Sequence, residues 1–427
     1  AVTLLVGAGL AWGALDREII SEAFKSLSYR WHYWQGALGI VAEHPWLGCG
    51  PGNFQDEYTR FKLPAASEVV ADPHNFAFEL WSTAGTPALL ALLAVFTGIA
   101  LRAFRLARER PAPERMAAVA GDAADSSWLA ITAAGVAGFV LAYLVGLFST
   151  VVLPWPVLAA GCVLVPAASV CLAGWIRRGS LPAYVPFCAA LALVINLLVA
   201  GGISFSGVAG SLWLLAAVGM RDADQKPVFA PRGALVATCL VSAVLFIACY
   251  WTAYRPVLAC RGAMGHALDD PRKARAHLLA AAAADPLAAE PWQMLAEGDF
   301  AAWLRDTDRA AENWQDAQRE FLRRRPHSSA AWHEAADRYL AAAEQTEGAA
   351  REAFLLAAID HFQRAAELYP NSALVHAHLS MALAAAKRPE VSQQAALALR
   401  LHTQTPHLDQ KLPAEVLHAV QVLANHD

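Results

Sequence analysis

The sequence predicts an all-α protein in two parts, a polytopic transmembrane helical bundle followed by a soluble helical-repeat domain. Three observations carry that prediction. Apolar residues make up 57% of the chain and charged residues only 16%, against about 25% charged in a soluble domain. The apolar excess lies before residue 256, in runs long enough to cross a bilayer. Beyond it the chain is rich in Ala, Glu, Arg and His and repeats a proline-punctuated pattern.

Residues 1–15, AVTLLVGAGLAWGAL, are too short to span alone and lack the basic flank of a signal peptide. They read as the end of a truncated transmembrane helix, with spans upstream contributing to any site. Residues 16–86 form a polar, aromatic, glycine-bearing loop. Within residues 87–255 the apolar segments Pro87–Phe104, Trp128–Phe148, Val151–Trp175, Tyr184–Gly201, Val208–Met220 and Ala234–Tyr254 read as transmembrane helices. Residues 256–427 are helical repeats.

Charge sets the orientation. Arg102, Arg105, Arg108, Arg110 and Arg115 follow the first complete span, Arg177 and Arg178 the third, and Arg221, Lys226 and Arg232 the fifth. The connections near Ser149 and Ser204 carry no basic residue. Basic loops on alternate turns mark the cytoplasmic side. Loop 16–86 and everything after Tyr254 then lie outside, in the periplasm if the cell is Gram-negative and its inner membrane carries the chain.

Three passages of the last part resemble one another: ADPLAAEPWQML, RRPHSSAAWHEA and LYPNSALVHAHL. Pro286, Pro326 and Pro370 each stand six residues before Trp292, Trp332 and His376. A proline that ends a turn, followed by a helix whose buried face opens on a bulky residue, punctuates helix-pair repeats. The segment AIDHFQRAAELYPNSALVHAHLSMAL resembles a tetratricopeptide repeat, although the spacing exceeds the usual ~34 residues. An irregular helical bundle is the other reading.

A net charge of −4 excludes a nucleic-acid binder that relies on a basic face. The seven cysteines are scattered, and Cys162, Cys171, Cys188, Cys239 and Cys249 fall in apolar spans. Neither a CxxC nor a Cys/His cluster is present, so no zinc or disulfide framework is expected.

Chemistry concentrates in loop 16–86. Trp31, Trp34, Leu38 and Val41 recur at helical spacing and suggest an amphipathic helix at the membrane surface, ended by Pro45. Its aromatics, with Tyr33 and Trp46, suit the interfacial belt. Gly48, Gly50 and Gly52 in GCGPGNF form either a tight turn of positive φ or an anion site before a helix capped by Asn53. Arg30 and Arg60 suit phosphate oxygens, or else snorkel or pair with Asp16, Glu18 or Glu57. In DPHNF, Asn75 reads as a helix cap, and His74 as a structural residue or a base titrating near neutrality.

Taken in order, the elements R-W-x-x-W-x-x-A-L, H-P-W-L-G-x-G-P-G-N-F, Y-x-R-F, H-N-F and a helix ending A-G-T-P resemble the O-antigen ligase/polymerase superfamily. The resemblance covers Tyr29 to Phe104; beyond that the spans match only in kind. It implies an integral membrane glycosyltransferase using a polyprenyl-diphosphate-linked glycan as donor. The acceptor would be a lipid, glycan or protein, and the product part of cell-surface polysaccharide. Arg30 matches the arginine that binds the donor diphosphate, and His74 the histidine that handles the acceptor proton. Arg60 is a further basic contact, Asn75 lies beside His74, and Gly48, Gly50 and Gly52 shape the floor. Pro87 departs from a frequent glycine. No cofactor is expected. No Asp-x-Asp or His cluster in loop 16–86 offers a divalent cation site, so no metal is expected either, and guanidinium groups would neutralise the leaving diphosphate. Membrane lipids surround the spans, and the repeats offer a surface for a protein partner. A polysaccharide polymerase, a solute transporter and a tethered non-catalytic scaffold are the rival readings; the apolar cores from Pro87 to Phe148 and from Val151 to Trp175 lack the ionisable residues that transport would favour.

Overall fold

The computed structural model describes residues 17–66, 68–108, 184–202, 206–219, 232–307 and 311–425, with short helical pieces between 132 and 170. Among the described residues all regular structure is helical. Residues 1–15, the expected spans Trp128–Phe148 and Val151–Trp175, and Arg110, Arg115, Arg177, Arg178, Arg221 and Lys226 lie wholly or mostly outside them.

Two compact units divide the chain. One comprises Ala1–Leu90, Leu198–Gly201 and Lys226–Asp427; the other comprises Ala91–Leu197 and Gly202–Gln225. In the second, Phe96 stacks on Trp213 at 6.2 Å, and Leu197 and Leu212 are buried.

The first unit opens with α1, Arg17–Glu43, which stops just before Pro45 as predicted. The expected amphipathic face needs correcting. Trp31 and Leu38 are exposed, whereas Tyr33, Ala37, Ile40 and Val41 are buried. Small residues decide which face is covered. A Cβ on Gly36 would collide with the Tyr58 ring, and one on Gly39 with the Phe61 ring, so the short helix α2 (Phe54–Phe61) can lie directly on the α1 backbone.

Helix α3, Phe76–Arg108, starts before the expected boundary at Pro87 and breaks at Gly85, where φ is 84° and ψ 177°. Then come α4 (Tyr184–Ala200), α5 (Ser206–Gly219) and α6 (Arg232–Cys249). A π-helical turn, Tyr250–Tyr254, carries α6 straight into α7, Arg255–Asp269, so no break marks the expected boundary at residue 256. Among the described residues two stretches are long and apolar enough to cross a membrane, Phe76–Arg102 and Val236–Asp269. In the second, Leu240, Val244, Leu245, Phe246 and Ile247 are all exposed, an uncovered apolar surface that hydrocarbon would solvate.

The remaining helices are α8 (Ala274–Ala284), α9 (Glu290–Leu304), α10 (Glu312–Arg324), α11 (Ser329–Glu344), α12 (Gly348–Leu368), α13 (Ala373–Ala385), α14 (Val391–Gln404) and α15 (Ala414–Ala424). Consecutive helices pack on one another, with α9–α10, α11–α12 and α13–α14 as close pairs. Their shared core holds Phe300, Trp303, Trp314, Tyr339, Phe362, Leu379 and Leu383. Trp314 is fully buried, its ring 5.0 Å from Tyr339 and 5.1 Å from Phe300.

The proline passages do form one recurring turn. Ala288, Ser328 and Ser372 donate backbone N–H to Asp285, Arg325 and Tyr369, and Ser328 and Ser372 cap the following helices at Ala331 and Val375. The six-residue spacing has a different cause from the one expected. Trp332 and Trp292 are only half-buried. Trp332 Nε1 bonds the Pro326 carbonyl at 3.0 Å, and His376 Nε2 lies 3.0 Å from that of Pro370. In the first turn Arg324 substitutes, donating to the Pro286 carbonyl at 2.8 Å with its guanidinium 5.0 Å from the Trp292 ring. These residues clamp turns; the core belongs to Trp314 and Phe362.

Trp314→Ala is therefore expected to cost about 3–5 kcal/mol of stability. Trp332→Phe, which removes one N–H donor, should cost only about 1 kcal/mol. Chemical denaturation followed by circular dichroism checks the ranking, and equal costs would refute this division of roles.

Candidate functional site

Loop 45–52 and the break in α3 are two halves of one crossing. Pro87 has no N–H, so the Thr83 carbonyl loses its helical donor. The Thr86 N–H is diverted to the Pro45 carbonyl at 2.8 Å, which frees the Ser82 carbonyl as well. Both acceptors are taken by the glycine loop: Cys49 N–H reaches Ser82 O at 2.8 Å and Gly50 N–H reaches Thr83 O at 3.0 Å. Contact is backbone to backbone. A Cβ on Gly48 would collide with Thr83 and Ala84, and one on Gly85 with the Trp46 carbonyl. Gly48, Gly50 and Gly52 have φ of 65°, 90° and 83°, so the tight-turn reading accounts for them.

The anion-site reading does not fit. Asn53 sits at the N-cap of α2 without a capping bond; its Nδ2 donates instead to the Cys49 carbonyl at 2.9 Å. Asp56 and Glu57 occupy the first turn and oppose an anion there. Burial, then the charge of Glu57, pushes the Cys49 thiol up to about 11, so it is no ready nucleophile.

The His-Asn turn packs on Tyr33 and Trp34 of α1. Trp34 Nε1 donates to the Pro73 carbonyl at 3.1 Å, the Trp34 ring stacks on Phe78 at 5.5 Å, and Tyr33 meets the His74 ring edge-on at 5.9 Å. Asn75 caps α3 as predicted, accepting from Ala77 and Phe78 at 3.0 and 3.2 Å. Its Nδ2 also donates to the Leu198 carbonyl at 2.8 Å. Gly201 closes over the turn so tightly that a Cβ would stand 2.9 Å from Asp72 Oδ1 and 3.1 Å from His74 Cα.

His74 has φ of 50°, uncommon for a side-chain-bearing residue. Asp72 fixes it there: Oδ1 accepts the His74 backbone N–H at 2.7 Å and faces Nδ1 at 3.1 Å. With Nδ1 donating to the carboxylate, the imidazole lone pair sits on Nε2. Asp72 is the partner of His74 that motif reading missed, although its spacing, D-x-H in DPHNF, was a usable signal.

The two arginines of the loop differ in their partners. Arg60 pairs with Glu43 at 2.7 Å and Glu57 at 3.2 Å. It thereby offsets part of the charge of Glu43–His44–Glu57, one of two described groups whose spacing suits a cation. The fold thus assembles such groups without any motif in the sequence. Arg30 lies one turn before Tyr33 and Trp34 on α1. No carboxylate among the described residues pairs with it; Nη1 donates to Ser26 Oγ at 2.7 Å, and the buried Nε has no partner there.

Residues 1–93 match the family model described as O-antigen ligase. The matched stretch contains Arg30, the glycine crossing and the Asp72–His74–Asn75 turn, and it supports an O-antigen ligase- or polymerase-like function in general terms. No curated protein matches the chain.

The ligase-like stretch is gripped by the proline turns of the later helices. Arg325 makes a two-pronged pair with Asp56 at 3.0 and 3.1 Å, and His327 Nδ1 meets Glu57 at 3.0 Å. Thr59 donates to the Leu368 carbonyl and Asn371 to that of Lys62, each at 2.8 Å. Lys62, 2% exposed, lies 5.5 Å from the Tyr369 ring and donates to the Ala66 carbonyl.

Burial pulls the Lys62 ammonium down to about 8 from its ordinary 10.5, partly offset by Asp409. Between these values the unfolded chain binds more protons than the folded one, so stability rises as pH rises from 8 to 10.5 and the penalty stands in full below 8. Melting temperature should climb across that window in the parent protein more than in Lys62→Met. Parallel pH profiles would remove Lys62 as the cause.

Proposed function

We propose that the chain is an O-antigen ligase-like glycosyltransferase of the bacterial inner membrane. It moves a glycan from a polyprenyl diphosphate carrier to an acceptor lipid, glycan or protein during cell-surface polysaccharide assembly. The observation that carries this reading is the family match across the stretch in which Arg30 has no carboxylate partner among the described residues and Asp72 orients His74.

In the proposed reaction the Arg30 guanidinium binds the donor diphosphate and offsets charge on the departing oxygen. The acceptor hydroxyl attacks the anomeric carbon from the face opposite the diphosphate. Its C–O bond forms as the bond to the diphosphate breaks, inverting the configuration, and its proton passes to His74 Nε2. Polyprenyl diphosphate leaves with the electron pair. No step calls on a metal. Asp72 is a positioning residue, keeping the lone pair on Nε2. Arg60, Gly48, Gly50, Gly52 and Asn75 keep the loop in shape around these groups. The domain scheme of the reading is a periplasmic active-site loop over 16–86, six spans over 87–255 and tetratricopeptide-like repeats over 256–427. Two features support the last element, the recurring proline turns and the close helix pairs.

Transfer from a purified polyprenyl-diphosphate glycan in nanodiscs tests the roles. Arg30→Ala should abolish transfer and weaken donor binding, and Arg30→Lys should recover little, because an ammonium lacks the planar fork. His74→Ala should slow transfer by about 10²–10⁴-fold with donor binding nearly intact. Asp72→Asn should slow it less and alter its pH profile. Normal turnover in a folded Arg30→Ala or His74→Ala protein would refute the assigned mechanism.

A further inference from the structure

Far along the chain from the ligase-like loop, three side chains converge between two helices. His333 and Asp337 stand four residues apart on one face of α11, and His378 faces them from α13. His333 Nε2 is 3.0 Å from His378 Nδ1, which is 3.1 Å from Asp337 Oδ1; Asp337 Oδ2 lies 4.0 Å from His333 Nε2. All three residues are partly buried, and the Phe362 ring backs both imidazoles, with centroids at 5.5 and 5.9 Å.

Hydrogen bonding alone leaves this trio mismatched. If His333 Nε2 carries a proton and donates it to His378 Nδ1, that nitrogen turns its lone pair on the Asp337 carboxylate. If His378 Nδ1 carries the proton, one N–H must serve both His333 and Asp337. If both nitrogens are protonated, two hydrogens meet head-on. One cation satisfies all three lone pairs at once. Donors about 2.0–2.1 Å from a tetrahedral ion stand about 3.3 Å from one another, and the measured separations bracket that value.

We propose that His333, Asp337 and His378 form a divalent transition-metal site of the zinc class that joins α11 to α13. Two imidazoles and one carboxylate suit such an ion better than the all-oxygen shells of magnesium or calcium. Three protein ligands leave the fourth position to water. The ion ties together helices from successive pairs across α12, a staple distinct from the glycosyl-transfer residues.

The test uses the untagged full-length protein in detergent, stripped with a chelator and dialysed. Zinc titration by calorimetry should show one site whose affinity falls at least about 100-fold in His333→Ala and in His378→Ala. Melting temperature should rise by several degrees with zinc in the parent protein only. Cobalt should give the intense visible absorption of a four-coordinate site in the parent and not in the variants. Should an alanine variant fail to fold, His333→Gln and Asp337→Asn give the same comparison, and the parent's cobalt spectrum stands alone. Equal zinc affinity in parent and folded variants, a weak six-coordinate cobalt spectrum, or magnesium binding as tight as zinc would each overturn the proposal.

Discussion

The ligase-like half of the first unit depends on a helix that cannot finish its own hydrogen bonds. Gly85 and Pro87 leave the Ser82 and Thr83 carbonyls of α3 without helical donors, and a buried acceptor left so would cost about 1–3 kcal/mol. The glycine loop supplies both donors, and only because Gly48 and Gly85 let the two backbones touch. One consequence runs down the chain in each direction. Fixing residues 45–50 sets where α1 ends and where α2 begins. Fixing residues 82–86 sets the first turns of α3, whose cap is Asn75 and whose lead-in is His74. The glycines therefore act on the His74–Asn75 turn through the backbone.

Clamping α2 is the second constraint. It is only eight residues long, too short to persist alone. Phe54 and Tyr58 anchor it on α1 from one side, while Asp56, Glu57 and Thr59 are taken up by the turns at Arg325–His327 and Leu368. The same proline turns thus perform two tasks, starting the next C-terminal helix and presenting donors and acceptors to the loop. A change in those helices has a short, polar route to α2, and from there to the crossing.

How much of this could be read from the sequence depended on range. Local chemistry was legible: the end of α1 before Pro45, the Asn75 cap, the positive-φ glycines and the recurring proline turns each follow from residue type and spacing. Pairings across the chain were not. Trp31 and Leu38 have the helical spacing of a buried face, yet burial followed Gly36 and Gly39, because the partner ring of Tyr58 needed room. Trp292 and Trp332 looked like core openers but are only half-buried; Trp332, like the buried His376, turns a polar edge to a proline carbonyl, while Trp314, outside the pattern, fills the core. The A-G-T-P and G-C-G-P-G elements stood in the sequence as separate motifs, and only tertiary contact shows that one completes the other.

Charge pairing separates the two arginines that sequence alone treats alike. Arg60 stands on α2 with Glu57 one turn away and Glu43 brought up by the end of α1, and its guanidinium is already spent on their carboxylates. Recruiting it to a diphosphate would leave Glu57, only 4% exposed, to rely on His327 alone. Arg30 faces no such penalty: its described partner is a hydroxyl, so an incoming phosphate oxygen would replace a neutral hydrogen bond with a charge-assisted one. The same reasoning favours His74 over His44. His74 has a carboxylate of its own that fixes its tautomer, whereas His44 stands beside Glu43 and Glu57, whose charge is shared with Arg60. Among the described residues, Arg30 is thus open to a further anionic partner and His74 Nε2 to a hydroxyl, whereas Arg60 is committed to Glu43 and Glu57.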